Sequence, residues 1–312
     1  MKGLKIVATG RALPAKVVTN DDMSKLVETS DEWITTRTGI RTRHFCAGET
    51  QADLAEQAAR RALERGKVDV GDLCACIVAT VTPDCSAPTS ACLLQQRLDL
   101  PEDIPCFDMN VGCTGFIYAL QVARGFLLQS GRPCALVIGA EALSRITDFT
   151  DRGTCVLFGD GAGAAVVTLA DSPYACTLGA RGDTEAIFIE GPGPERPYIH
   201  MDGQPVFRFA VEAVPRCARE VLSKAGLGLE DVDRFVFHQA NQRIIDFAVK
   251  KLGIDPAKCT GNIEHTGNTS AASVPLLLDE LITGGELRSG QRALCVGFGG
   301  GLTWAGALLE LA

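Results

Sequence analysis

Three shortages narrow the sequence before any motif is read. No stretch approaches the roughly 20 apolar residues that a membrane span needs. The apolar run Ile6–Ala8 is far too short for an export signal and reads as a strand, so the cytoplasm is the expected compartment. Basic excess is missing as well: 30 Lys and Arg stand against 38 Asp and Glu, a net charge of -8, which argues against a nucleic-acid partner. Histidine is scarce. None of the four (His44, His200, His238, His265) stands at zinc-ligand spacing from another or from a cysteine, and no Cys-x-x-Cys occurs, so no metal site is expected. Disorder is not expected either, because no long segment is both polar and strongly charged.

What is present is ordinary globular material, 46% hydrophobic and 22% charged over 312 residues. That length buries one large core or two intimately packed ones. Cysteine is abundant at 13, an odd count, so at least one is unpaired. In a reducing compartment most of these thiols should be free and serve as small buried apolar groups.

Short apolar runs alternate with helical patterns. The strand candidates are 5–9, 73–80, 134–139, 164–169, 234–238, 293–297 and 305–311. Their unbroken apolar character suits strands covered on both faces, as in layered α/β proteins. A helix is expected from Thr50 to Gly66, with Asp53 in the capping-box position. Residues 113–129 are apolar nearly all round and predict a buried helix. Residues 241–252 bury Ile244, Ile245, Ala248 and Leu252 and stop at Gly253; residues 270–283 repeat Val274, Leu277, Leu278 and Leu281 and stop at Gly284.

The chain also resembles itself. The stretch 112–139 and the stretch 268–297 each read loop, helix, Ser-Gly turn, strand ending in Gly, with Ser130-Gly131 matching Ser289-Gly290. Two similar αβ halves, 1–171 and 172–312, are the expected organisation, the first with an insertion between Ala140 and Leu157.

Four segments carry chemistry. Cys113 opens the buried helix between Gly112 and Gly115. There the free N–H groups and the helix dipole favour a thiolate and can donate to an oxyanion. Cys92 opens no helix on this reading, and Cys295 lies within a strand, so Cys113 stands alone in its setting. An inert packed thiol would share that context; exposure and pKa decide between them. His238 ends the strand F-V-F-H, at the mouth of a sheet where α/β proteins bind ligands, although a merely satisfied histidine also fits there. His44 follows arginines, His200 lies in a Pro/Gly-rich loop, and His265 is a minor candidate near Asn268. Asn268 precedes a helix as a capping asparagine would, yet also offers a non-ionising N–H₂ donor. The glycines 299–301 let main-chain N–H groups converge, as an oxyanion hole requires and a tight turn also allows.

Taken together, V-G-C-T-G-F (111–116), H-Q-A-N (238–241), G-N-T-S-A-A-S (267–273) and F-G-G-G-L-T-W (298–304) resemble the Cys-His-Asn condensing enzymes. More narrowly, the sequence resembles the β-ketoacyl-[acyl-carrier-protein] synthase III family. Residues 29–44 (T-S-D-E-W-I-T-T-R-T-G-I-R-T-R-H) and 150–166 (T-D-R-G-T-C-V-L-F-G-D-G-A-G-A-A-V) match it too, and the likeness runs along essentially the whole chain. It implies the thiolase fold: two duplicated αβ halves forming five layers, αβαβα. The cysteine then falls in the N-terminal half, 1–171, and the histidine and asparagine in the C-terminal half, 172–312.

The resemblance also implies roles. Cys113 would carry an acyl group taken from acyl-CoA, with the N–H groups of Cys113 and Gly300 as oxyanion hole. His238 and Asn268 would stabilise the enolate formed as a malonyl thioester on acyl carrier protein loses CO2. Phe298 would help exclude water. Trp33, Arg37 and Arg152 match CoA-contacting positions, and Asn241 matches a contact near the pantetheine arm. Acyl-CoA is a substrate; no separate cofactor is implied. Carrier proteins are acidic, so an acidic enzyme needs a basic entrance, and Arg208, Arg243, Lys250 and Lys251 fit one. A solvated basic face would read the same. A homodimer is implied as well.

Departures bear on specificity. Acetyl-preferring relatives commonly place a bulky aromatic before the Pro of C-S-A-P-T-S-A, where this chain has Ala87 before Pro88. In the family that side chain reaches across the dimer interface to floor the acyl pocket, so a primer longer than acetyl, or branched, is expected. Gly112 and Thr114 replace alanines often seen beside the cysteine, and H-T-G-N replaces H-G-N. A degradative thiolase would need a second catalytic cysteine near the C-terminus, and elongating synthases a histidine at Asn268. A specialised condensing enzyme of secondary metabolism, a Cys-His hydrolase and a non-catalytic CoA-binding protein are the remaining readings.

Overall fold

Capping decides where the first long helix begins. Thr50 accepts from the Asp53 N–H while the Asp53 carboxylate accepts from the Thr50 N–H, the reciprocal pair expected from the sequence. The computed structural model describes residues 2–191 and 198–312. Strand β1 (Lys2–Ala12) opens the chain. A small ribbon of β2 (Lys16–Thr19) and β3 (Thr42–Phe45) follows, with α1 (Asn20–Met23) and α2 (Asp31–Thr38) between its strands. Next come α3 (Gln51–Gly66), β4 (Leu73–Ala79), α4 (Ser90–Arg97), β5 (Cys106–Met109), α5 (Gly115–Gln129) and β6 (Cys134–Glu141). The short α6 (Arg152–Cys155) leads into β7 (Gly161–Asp171). The rest runs β8 (Cys176–Ala180), the hairpin β9 (Ile187–Ile189) and β10 (Ile199–Met201), α7 (Gly203–Ala225), β11 (Arg234–Phe237) and α8 (Gln242–Leu252). It closes with α9 (Ile263–Thr266), α10 (Ser273–Thr283), β12 (Arg292–Gly299) and β13 (Thr303–Leu311).

Nine strands form one sheet in the order β11-β12-β13-β1-β7-β6-β4-β5, with β8 also on β13. The pairing pattern repeats. From β4 to β6, β7 and β1 the pairs run parallel, antiparallel, antiparallel; from β11 to β12, β13 and β8 they do the same. The two sets meet where β1 and β13 share only two residue pairs, Lys5–Glu310 and Ile6–Leu311. Helices α5 and α10, each preceding the second strand of its set, share one core with both sets of strands. Helix α3 covers the outer face of the first set, and α7 and α8 cover the second. The layers therefore run αβαβα, the thiolase fold.

The strand candidates all form, and α8 buries Ile244, Ile245, Ala248 and Leu252 as expected before a left-handed Gly253. Each of the Ile and Leu side chains contributes about 1.5–3 kcal/mol when fully covered. Helix α5 departs from expectation. One face is buried, but Val122 and Phe126 are half-covered and Leu128 is exposed, because that face lies beside the sheet edge at β5 rather than under another layer. Two further corrections concern single residues. Cys92 does stand in the first turn of a helix, its N–H donating to the Thr89 capping hydroxyl; Thr89 before Ser90 is the cap that the sequence reading passed over. His200 lies in β10, stacked on Phe188, rather than in a loop. All 13 cysteines are free, and among the described residues no cluster of three metal-ligating side chains occurs. No helix of the described residues is long and apolar enough to cross a membrane.

Candidate active site

The turns that begin α5 and α10 meet at the centre of the molecule. Cys113 sits in the tight turn Gly112–Thr114, with Gly112 left-handed at φ 51. The C-terminal glycines pass directly over it: a Cβ at Gly299 would lie 2.9 Å from the Cys113 Cβ and 3.0 Å from its nitrogen. Glycine there brings the Gly300 main chain beside the thiol, as an oxyanion hole between the two N–H groups would need.

Cys113, His238, Asn268, Phe298 and Gly300 line one cavity of about 490 Å³, within the usual size of a ligand site. Trp33, Arg37, Asn241, Arg208 and Arg243 line the same cavity. Arg152 does not line it directly but lies over the Trp33 ring at 5.0 Å, with Arg37 over the ring at 4.5 Å. A half-buried indole with two guanidinium groups over its ring offers a flat, cationic surface. Lys250 lines a separate surface depression with Gln242 and Asp246, and Lys251 is exposed on the same helix. Ala87 is exposed, outside this chain's cavity.

The electrostatics correct one expectation. Burial pushes the Cys113 thiol up to about 11, so the resting group is a thiol rather than the thiolate expected at a helix start. The helix proper begins only at Gly115, one residue past the turn. Burial holds His238 down at about 3, so its imidazole is neutral. Its ring packs edge-on against Phe298 at 5.4 Å.

The structure also adds a residue that sequence reasoning missed. The Ser273 hydroxyl accepts from the Gln239 N–H at 2.8 Å and lies 3.0 Å from His238 Nδ1. A proton given by that hydroxyl to Nδ1 would keep the imidazole proton on Nε2. Asn268 is oriented by the same logic. Its Oδ1 accepts from the Ser270 N–H at 2.9 Å, so Nδ2 is the end left to donate. Its main chain is pinned on both sides, donating to Leu157 O and accepting from the Gly159 N–H. Asn241 caps α8 through the Arg243 N–H and donates to Arg37 O, tying the indole-bearing helix to the histidine loop. Ser273 was visible as the last letter of G-N-T-S-A-A-S, but nothing in one dimension aims it at His238.

A thiol, an imidazole and an oriented amide N–H₂ around one cavity on a thiolase fold are the side chains expected of a condensing enzyme. Comparison with known proteins narrows this. Models of the 3-oxoacyl-[acyl-carrier-protein] synthase III family match residues 107–182 and, for its C-terminal part, 222–311. The β-ketoacyl-[acyl-carrier-protein] synthase III of Clostridium acetobutylicum is 44% identical over 99% of both chains. That of Neisseria gonorrhoeae is 45% identical over 99% of this chain and all of its own. The crystal structure of 3-oxoacyl-[acyl-carrier-protein] synthase III from Aquifex aeolicus superposes with a TM-score of 0.93 at 44% identity, covering 99% of this chain and all of that one. The chain belongs to the β-ketoacyl-[acyl-carrier-protein] synthase III family.

Proposed function

We propose that this enzyme condenses an acyl-CoA primer with malonyl-[acyl-carrier-protein], releasing CO2 and CoA and giving a β-ketoacyl-[acyl-carrier-protein] that starts fatty acid synthesis. The observation that carries the reading is the pair of oriented donors, His238 Nε2–H and Asn268 Nδ2, facing the cavity that holds Cys113. The relatives' shared name favours it over a specialised enzyme of secondary metabolism.

The Cys113 sulfur attacks the acyl thioester, and the oxyanion forms against the N–H groups of Cys113 and Gly300. CoA leaves and the malonyl thioester enters. As CO2 departs, negative charge builds on the thioester oxygen, and His238 and Asn268 donate to it. A neutral imidazole suits this role, since it donates without first having to shed a proton. The resulting carbanion attacks the acyl carbonyl on Cys113. Phe298, 3% exposed, keeps water from the acyl-enzyme. Trp33, Arg37 and Arg152 are assigned to the nucleotide end of CoA, and Asn241 to its pantetheine arm. No cofactor beyond the acyl-CoA substrate enters this scheme.

Docking of the acidic carrier protein is assigned to Arg208 at the cavity mouth and to Arg243, Lys250 and Lys251 on α8. Phe247, 40% exposed, stands between Arg243 and Lys250 on that helix and adds an apolar contact. A homodimer is supported by the edge strand β5 and the adjoining half-covered face of α5. Ala87 would then floor the partner's acyl pocket and leave room for a longer or branched primer. The cytoplasm is the expected compartment. Intact-mass measurement after incubation with mixed acyl-CoAs tests the reading: it should show one acyl group on Cys113, discharged as β-ketoacyl product when malonyl-carrier protein is added. A Cys113→Ala protein that still forms the product at the normal rate would overturn it.

A further inference from the structure

Arg43 is among the largest wholly buried side chains, and it carries a charge. It stands in β3, opposite Val18 of β2. Its partners are all neutral. Nη1 donates to Asn20 Oδ1 at 2.8 Å and reaches Val18 O at 3.5 Å, and Nη2 donates to Val156 O at 2.7 Å. Nε has no partner among the described residues. A cation held this way is a poor filler of space, since an apolar side chain of that volume would not have to be desolvated. What the guanidinium fork does is join two segments that both border the cavity.

Asn20 receives the first limb. With Oδ1 taken by Arg43, its Nδ2 turns to α2 and donates to Asp31 Oδ1 and to Ile40 O, each at 2.8 Å. Asp31 begins α2 and Ile40 lies just past its end, so both ends of the helix that bears Trp33 and Arg37 hang on one amide. The second limb ends at the carbonyl of Val156. Val156 closes α6, the turn that carries Arg152 over the Trp33 ring. The next residue, Leu157, accepts from the Asn268 N–H at 2.9 Å, and the Gly159 N–H donates to Asn268 O at 3.0 Å. The stem of Arg43 packs against this same pairing. A Cβ at Gly159 would lie 3.2 Å from the Arg43 Cβ, and one at Gly267 would lie 3.3 Å from it. Val156, Leu157 and Asn268 line the cavity, as do Trp33 and Arg37.

We propose that Arg43 is a positioning residue that holds the Trp33–Arg37–Arg152 clamp and the Asn268 amide in one frame, so that the primer thioester and the malonyl thioester that follows it meet the same centre. The assignment rests on the proposed condensation, with Asn268 as enolate donor and the clamp as the seat of CoA. Arg43 touches neither substrate and acts through Asn20 and Val156. Lysine is no substitute, because a compact ammonium has no planar fork to hold two acceptors in fixed relation.

The two limbs differ in their consequences. The Asn20 limb steadies α2 and therefore bears on affinity for acyl-CoA. The Val156 limb steadies the segment paired with Asn268 and therefore bears on CO2 release. Cys113 lies in the turn Gly112–Thr114, outside this network, so its attack on a bound thioester is the step least affected.

KM and maximal rate for Cys113 acylation by acetyl-CoA and isobutyryl-CoA, read by intact mass, and CO2 release from malonyl-carrier protein test the proposal. Arg43→Lys should raise KM for acyl-CoA and slow CO2 release, each by about 10-fold, while the maximal rate of acylation changes by less than about 2-fold. Asn20→Ser cuts only the limb to α2; it should raise KM for acyl-CoA by about 10-fold and slow CO2 release by no more than about 2-fold. In an Asn268→Ala protein, adding Arg43→Lys should slow CO2 release no further, because the residue it acts through is already gone. Additive losses in that pair overturn the proposal by making the role one of general stability. An Arg43→Lys protein with wild-type KM and CO2 release overturns it too, and either result leaves the condensing function standing. Should Arg43→Lys fail to fold, Asn20→Ser decides: equal losses in both half-reactions, or none, overturn the proposal. A wild-type protein that neither takes an acyl group on Cys113 nor releases CO2 from malonyl-carrier protein removes the parent reading, and this one with it.

Discussion

Replacing Ser273 with alanine removes one hydroxyl and leaves the imidazole of His238 against Phe298. Two consequences follow from the geometry. The Gln239 N–H, on a residue 1% exposed, loses its acceptor, which costs about 1–3 kcal/mol of stability. The imidazole loses the hydroxyl proton at Nδ1 and is free to move its own proton there, which turns a lone pair toward the enolate oxygen. Removing an oxyanion donor outright costs about 10²–10³ in rate. Ser273→Ala keeps the ring and part of the correct tautomer, so its loss should be shallower, about 10-fold, while His238→Ala shows the full drop. The assay is CO2 release from malonyl-carrier protein, run beside acylation of Cys113 by acyl-CoA, which does not use His238. Ser273→Ala releasing CO2 at the wild-type rate would refute the tautomer argument. So would equal slowing of both half-reactions.

His238 should also mark the acid stability of the fold. Its folded value of about 3 lies below the ordinary 6.5, so the unfolded chain binds a proton that the folded one refuses as pH falls from 6.5 toward 3. Stability is thereby lost on acidification, by about 2 kcal/mol between pH 7.5 and 5, and urea midpoints should show His238→Gln losing less over that range. Arg243→Glu with Lys250→Glu should raise KM for malonyl-carrier protein by about 10-fold, more at low salt, and spare acylation by acyl-CoA; equal effects in both half-reactions would remove the docking assignment. Ala87→Phe should shift a primer panel toward acetyl-CoA, whereas a wild-type enzyme already steeply preferring acetyl-CoA would refute the enlarged pocket.

The layers were legible because both sets of strands are covered on both faces, which leaves strands such as 73–79 and 134–140 as continuous apolar runs. The capping box at Thr50 and the stop at Gly253 are local chemistry and were equally readable. Burial around α5 was misjudged, since an apolar helix beside an open sheet edge looks in sequence like one enclosed by layers. Cys113, His238 and Asn268 were visible as types at element ends. Their protonation was not, because it depends on desolvation by segments far away in the chain. Ser273 meets His238 across 35 residues of sequence, and no periodicity encodes where a hydroxyl points.

The seam between β1 and β13 has a consequence for how the protein is made. Strand β1 finds its parallel neighbour far along the sequence in β13, and the Ala312 N–H just after it donates to Ile6 O at 2.9 Å. β13 must therefore be made before the two sets of strands can be joined, and until then the first set waits with the flank at β1 open. Loss of the Glu310 and Leu311 pairings would open the sheet at its middle rather than fray its edge.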